Sequence, residues 1–298
     1  MFKKMLVPLD VSELSEITFN YVRELAGRFV GLEVILLHVC REKSTLSLHG
    51  AYVENTAGKI SAEARKALGN VDVNVRGVIL KGNPTDEILR YASSNGVDLI
   101  LMATHGRSGI SRWAMGSVAY KVLCLSEVPV LLVRAGIEDA IIFDQLPERR
   151  LLVALDGTRS AESILSHVEA LAAQWGKEVV QIILIRVCRP ADVTSDYPSS
   201  KAESWEMRVE QEKLKCKLEA GSYLANVEKH FKEAGFKVCS NLPFGNPAQE
   251  ILNASIEHRA NLIAMVIHGR SGISRWAYGN TAEEVMLGAR VPIMLVRP

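Results

Sequence analysis

In the first 134 residues, continuous apolar runs alternate with stretches where apolar residues return every three or four positions. Residues 4–9, 33–39, 73–80, 99–103 and 130–133 read as strands. A helix capped by Ser12 or Ser15 is predicted to run to about Phe29, and a second covers residues 53–68. A third begins at Pro84 and shows the apolar spacing of Ile88, Leu89 and Ala92; a fourth covers 116–125. Most of these strands, 99–103 and 130–133 above all, are apolar at consecutive positions rather than at every second one. That pattern predicts a parallel sheet covered by helices on both faces.

The pattern then starts again. HGRSGISRWA occupies residues 105–114 and returns unchanged at 268–277, an offset of 163. GNPTDEIL (82–89) aligns with GNPAQEIL (245–252), and VPVLLVR (128–134) with VPIMLVR (291–297). Near the start, LVPLD (6–10) aligns with LVALD (152–156) at an offset of only 146, so about 17 residues are inserted in the first half of the second copy. A unit of this length present twice reads as domain duplication. The second copy is predicted to have strands at 151–155, 179–187, 238–242, 262–266 and 293–296, with helices at 161–175, 201–234, 248–258 and 281–287. The insertion falls in the long charged helix, a solvated face, and residues 135–149 read as the linker. The expected domains are 1–136 and 150–298.

Bulk composition narrows the function. A hydrophobic fraction of 48% supports two packed cores. Lys plus Arg number 35 against 34 for Asp plus Glu, so no global field favours nucleic acid or acidic membranes. Nothing resembles a signal peptide, and no run of eighteen apolar residues exists to span a membrane. The cysteines (Cys40, Cys124, Cys188, Cys216 and Cys239) are odd in number and form no CxxC pair. That spacing argues against a disulfide scaffold or zinc site, and for reduced thiols in a cytosol.

Candidate chemistry lies where the repeated motif leaves the fourth strand. In an open parallel sheet, ligands sit beyond the carboxyl ends of the strands, where the winding reverses. ATHGRSGISRWAMGS, from Ala103 to Ser117, forms a glycine-containing loop that ends at a helix start. Unpaired amides and the positive dipole end favour an anion there, and glycine lets a phosphate approach the backbone. Ser117 adds a hydroxyl, and Arg107 and Arg112 could add charge.

These residues resemble the nucleotide motif of the universal stress proteins, Gly-x2-Gly-x9-Gly-Ser/Thr. Gly106, Gly116 and Ser117 match its second and third glycines and its hydroxyl, while Ala103 stands in place of the first glycine. The resemblance covers nearly the whole chain, twice. It implies two tandem doubly wound, five-stranded Rossmann-like α/β units in a pseudo-twofold arrangement, with the apolar last strands paired into an internal dimer; association into a true homodimer is a further option. It implies ATP or AMP as ligand, with Mg2+ as an optional companion. Asp10 would meet the ribose or the metal–phosphate region, the Val39 backbone the adenine edge, and the Gly106 and Gly116–Val118 backbone the phosphates. Pro8, Leu9, Met102, Ala103, His105, Arg107 and Gly109 complete the first-copy set. Asp156, Val187, Val266, His268, Gly269, Gly279, Asn280 and Thr281 are the second-copy counterparts. Val266 is β-branched where Ala103 is small, and Asn280 replaces the hydroxyl residue, so the first copy is expected to bind more tightly.

Plainer roles compete with these. The glycines could serve turns alone, and Asp10 could cap the first helix. His105, His268 and His38 fit structural hydrogen bonding, and Trp113 and Trp276 fit loop packing. Duplication alone explains the matching Cys40 and Cys188. Three functions are carried forward. The first is a nucleotide-binding stress-response regulator. The second, a slow ATPase or phosphotransferase, is weaker because the chain has no GxxxxGK[ST] and no loop lysine. The third is a nucleotide-free interaction module. A dinucleotide-binding domain is excluded by PLDVSELSE after the first strand, which contains no glycine.

Overall fold

The structure is a computed structural model. It describes residues 1–29, 31–41, 46–67, 74–104, 115–134, 148–189, 202–267 and 280–298. In the first copy, β1 (Lys4–Leu9), β2 (Glu33–Cys40), β3 (Asn74–Lys81), β4 (Leu99–Ala103) and β5 (Val130–Val133) alternate with helices. These are α1 (Glu13–Glu16), α2 (Thr18–Arg28), α3 (Leu46–Ala67), α4 (Pro84–Ser94) and α5 (Ser117–Leu125). The second copy has β6 (Arg149–Ala154), β7 (Val180–Ile185), β8 (Lys237–Asn241), β9 (Leu262–Val266) and β10 (Ile293–Val296). Its helices are α6 (Arg159–Trp175), α7 (Ala202–Glu233), α8 (Pro247–Glu257) and α9 (Asn280–Gly288).

The strand order is β3-β2-β1-β4-β5-β10-β9-β6-β7-β8. Each copy is parallel within itself, and the two meet antiparallel at β5 and β10, with Leu131 opposite Met294. The pairing of the last strands that the resemblance implied is therefore present. Their pairing removes two apolar edges that would otherwise be open to association.

Alternation along the strands divides the core into two layers. Met5, Val7, Val34 and Leu36 pack under α2 and α3, and Ile182 and Leu184 under α6 and α7. Leu6, Ile35 and Leu37 face α4 and α5, and Ile183 and Ile185 face α8 and α9. Burial on both faces is why these strands are apolar throughout. The α4 and α8 starts use one device twice. Asn83 accepts from the Thr85 amide at 3.0 Å and Asn246 from the Gln249 amide at 3.1 Å, each followed by proline at the first turn.

Across the copies, Phe2 exchanges two hydrogen bonds with Gln174, at 2.6 and 2.8 Å. Arg149 meets Glu24 at 2.6 Å with both side chains at most 7% exposed. Arg149 thus belongs to β6, not to the linker; residues 135–147 lie outside the described residues.

Three other expectations change. The first helix is two, α1 and α2, broken after Glu16. The second helix starts at Leu46, not at Val53. Cys188 and Cys216 form a disulfide, where spacing argued for thiols. The two are 28 residues apart in sequence, and the fold carries α7 back over the end of β7, so no short-range cysteine pattern marks the pair.

Candidate functional site

The switch point of the first copy lies between β1 and β4, because β1 pairs with β2 on one side and β4 on the other. Pro8 and Leu9 end β1, and Asp10 follows directly. Asp10 does not cap the helix itself. Its Oδ1 accepts from the Ser12 amide at 3.2 Å and from the Ser12 hydroxyl, while Ser12 caps α1. The intervening Val11 has φ 60°, a left-handed conformation that a β-branched residue seldom adopts. Such strain persists only where the surroundings impose it.

Met102 and Ala103 end β4; the Met102 side chain is core, and Ala103 is half-buried. Thr104 donates to Val133 O at 2.8 Å, and its own carbonyl accepts from the Gly116 amide at 2.8 Å. The start of α5 is thereby tied to the end of β4. Gly116 is the helix N-cap and supplies no side chain to the first amides, so Ser117 and Val118 open a helix whose N-terminus has no side-chain cap. His105, Gly106, Arg107, Gly109, Arg112 and Trp113 lie outside the described residues.

The second copy repeats the strand-end turn. Asp156 Oδ1 accepts from the Thr158 amide at 2.8 Å and from its hydroxyl at 2.7 Å, and Thr158 caps α6. Here the middle residue is Gly157, at φ 87°, which carries no such strain. A cavity of about 610 Å³ opens at this end of the sheet. It brings together Asp156, Val187, Val266 and Thr281 from four separate segments. Val266 lines this space, so its branched side chain does not close the crevice. Asn280 begins α9, while His268, Gly269, Gly279 and Trp276 lie outside the described residues.

Among the residues of this wall that escaped sequence reasoning, three carry a charge or a cysteine sulfur: Arg186, Arg189 and Cys216. Arg186 sits over the Tyr223 ring, 5.2 Å from its centroid. It stands one position before Val187, as His38 does before Val39, so aligning the two copies at that valine would have found it. A tyrosine from the long helix also approaches the glutamate of the first turn in each copy. Tyr52 donates to Glu16, and burial, with Glu16 behind it, raises its pKa far above the ordinary phenol range. Burial and then Glu162 do the same to Tyr223, so both phenols stay neutral.

In the first copy, His38 is buried and its Nδ1 donates to Leu9 O at 2.7 Å. Its Nε2 faces His49 Nδ1 at 2.9 Å, and Cys40 Sγ lies 3.6 Å from the same His49 nitrogen. The structural role expected for His38 is present, but His49 was not singled out by sequence reasoning. It lies in the part of α3 that precedes the predicted start.

These features define a class: a tandem α/β protein whose two doubly wound units share one mixed sheet, each with a switch point between its first and fourth strands. The chain belongs to the universal stress protein family, which it matches over residues 1–134 and again over 148–297. It is 32% identical over 156 residues to universal stress protein MJ0577 of Methanocaldococcus jannaschii, covering 45% of this chain and 96% of that protein. It is 34% identical over 149 residues to universal stress protein YxiE of Bacillus subtilis, covering 45% of this chain and 100% of that one. Universal stress protein Mb2028c of Mycobacterium bovis is 23% identical over 254 residues, 83% of this chain and 79% of that protein. A solved universal stress protein from Archaeoglobus fulgidus superposes with a TM-score of 0.67 at 22% identity, covering 100% of this chain and 99% of that one, which speaks for the fold. No described helix is long and apolar enough to cross a membrane.

Proposed function

We propose that the chain is an adenine-nucleotide-binding regulator of a stress response, taking ATP or AMP at its strand-end crevices. The observation that carries this reading is the start of α5. It is a helix N-terminus with no side-chain cap, held beside the end of β4 by the Gly116–Thr104 hydrogen bond of 2.8 Å. An anion is the ligand such a terminus favours. The 610 Å³ cavity of the second copy supports the same reading, since it falls within the roughly 300–1,000 Å³ typical of small-ligand sites.

The residues suit the ligand. The amides of Ser117 and Val118, with the loop of Gly106 and Gly109, would hold phosphate. Asp10 would meet the ribose, or share a Mg2+ ion with the phosphates when ATP is bound. Backbone at Val39 would read the adenine edge. In the second copy Asp156, Val187 and Thr281 take the corresponding positions, with Arg186 and Arg189 as added positive charge. We rank the first copy as the tighter site, because Ala103 leaves more room than Val266 and Ser117 offers a hydroxyl. Occupancy would order the 105–114 loop and change the surface a partner meets.

The test is the ligand that the full-length protein retains through purification, released and identified by mass spectrometry. An adenine nucleotide is expected. Protein with no adenine absorbance and no thermal shift on adding ATP or AMP would reject the reading and leave the interaction-module alternative.

A further inference from the structure

The end of β2 carries a cluster that the nucleotide reading does not use. His38, Cys40 and His49 each offer one metal-ligand atom, and the three atoms lie within 4.8 Å of one another. We propose that they form a binding site for a borderline-to-soft transition-metal ion, Zn2+ being the representative, with two imidazole ligands and one thiolate.

The tautomer of His38 is the first argument. A carbonyl oxygen only accepts, so the 2.7 Å contact with Leu9 O places the proton on Nδ1 and leaves the Nε2 lone pair aimed at the cluster. Metal-ligating histidines are oriented by this same kind of outer hydrogen bond. Ligand spacing is the second argument. Zinc bonds of ~2.0–2.1 Å to nitrogen and ~2.3 Å to sulfur put tetrahedral donors about 3.3–3.6 Å apart. Cys40 Sγ and His49 Nδ1 are already 3.6 Å apart, and His38 Nε2 and His49 Nδ1, at 2.9 Å, need open by only a few tenths of an ångström. His49 is half-buried on α3, His38 and Cys40 are buried, and the His38–Cys40 donor pair lies within 4.8 Å. The ion would replace the proton the two imidazoles share. Three protein ligands leave one coordination position for water or a ligand atom.

The second copy supplies a third argument. Cys188 follows Val187 as Cys40 follows Val39. Cys216 lies four residues before Ala220, and His49 four before Val53, each the first buried residue described in its helix. The same strand–helix junction therefore brings together two metal-ligating side-chain types in both copies. In one copy two sulfurs are bonded to each other; in the other a sulfur and two imidazoles face one another.

The test uses the full-length chain with its Cys188–Cys216 bond intact, titrated with Co2+ as a spectroscopic probe and then with Zn2+ in competition. One ion per chain is expected, with a thiolate-to-cobalt charge-transfer band that Zn2+ abolishes. Cys40→Ser should remove the band, and His49→Gln should weaken binding by at least ~10–100-fold. Circular dichroism of the metal-free variants checks folding; if Cys40→Ser does not fold, His49→Gln on the half-buried helix position decides. A cobalt spectrum without the thiolate band, a band that survives Cys40→Ser, or unchanged affinity in His49→Gln would overturn the proposal. The chain is first stripped of any retained nucleotide, so the outcome is independent of the ATP or AMP reading.

Discussion

The two copies share a sheet, a strand-end turn and a loop sequence, yet they differ where chemistry could occur. At the turn, strained Val11 in one copy is relaxed Gly157 in the other. At the end of the second strand, His38, Cys40 and His49 face one another in the first copy, while Arg186, Cys188 and Cys216 occupy the matching places in the second. The long helix has 22 residues in α3 and 32 in α7. Duplication has kept the capped turn after the first strand and the helix start that follows the fourth. It has let the side chains around that frame diverge.

The largest effect is expected where the copies are joined asymmetrically. At the 146-residue offset, Ala170 stands where Glu24 does and Lys3 where Arg149 does, so the buried ion pair is made once and not twice. Arg149→Met should strand the Glu24 carboxylate and cost about 3–5 kcal/mol by urea unfolding. Arg149→Met combined with Glu24→Leu should recover much of that. A loss below 1 kcal/mol in the single variant would mean the copies are held by β5–β10 pairing, the Phe2–Gln174 hydrogen bonds and apolar contacts, without help from this ion pair.

Next in size is the disulfide. A cross-link between residues 28 apart restricts the unfolded chain by about 3.5 kcal/mol. The Cys188→Ser, Cys216→Ser double variant, or reduction of the native bond, should lower the stability of the second copy by about that much. It should leave hydrogen-exchange protection in β1–β4 unchanged. Because Cys216 lines the second-copy cavity, ligand binding there should change with it. Equal loss of protection in both copies would show that they unfold as one unit.

The smallest effect tests the turn. A Cβ on Gly157 would come within 2.7 Å of the Arg186 guanidinium carbon and would hold a left-handed φ. Gly157→Val should therefore cost ~1–2 kcal/mol by thermal or urea unfolding and displace Arg186 from the cavity wall. Val11→Gly relieves the same strain and should leave stability within about 1 kcal/mol of the parent.

Most of the architecture was legible from period and repetition. Strands buried on both faces are apolar throughout, helices buried on one face are not, and the exact repeat of HGRSGISRWA revealed the second copy. The pairing of the apolar last strands followed from the family resemblance and not from their pattern alone. The features that were not legible depend on contacts between distant segments. The start of α3 carries few buried residues before Val53, so periodicity alone placed it late and His49 went unnoticed. Ile17 continues the apolar spacing even though the backbone breaks there into α1 and α2. The disulfide joins a strand end to a helix face, and no local cysteine pattern encodes that meeting. Asp10 read as a candidate cap because Asp and Ser are both good capping residues. Only the hydrogen bonds show Ser12 capping and Asp10 bracing it.

The central claim is that the uncapped start of α5 holds the phosphates of an adenine nucleotide, and Ser117→Glu tests it most directly. An acidic residue in the first turn favours the helix while repelling an anion from its end. Calorimetric titration of the full-length chain with ATP and AMP should show a tight site that weakens at least ~tenfold in Ser117→Glu, about 1.4 kcal/mol, with the melting temperature unchanged or raised. Tight binding that is the same in the parent and in Ser117→Glu would place the phosphates elsewhere and contradict the account.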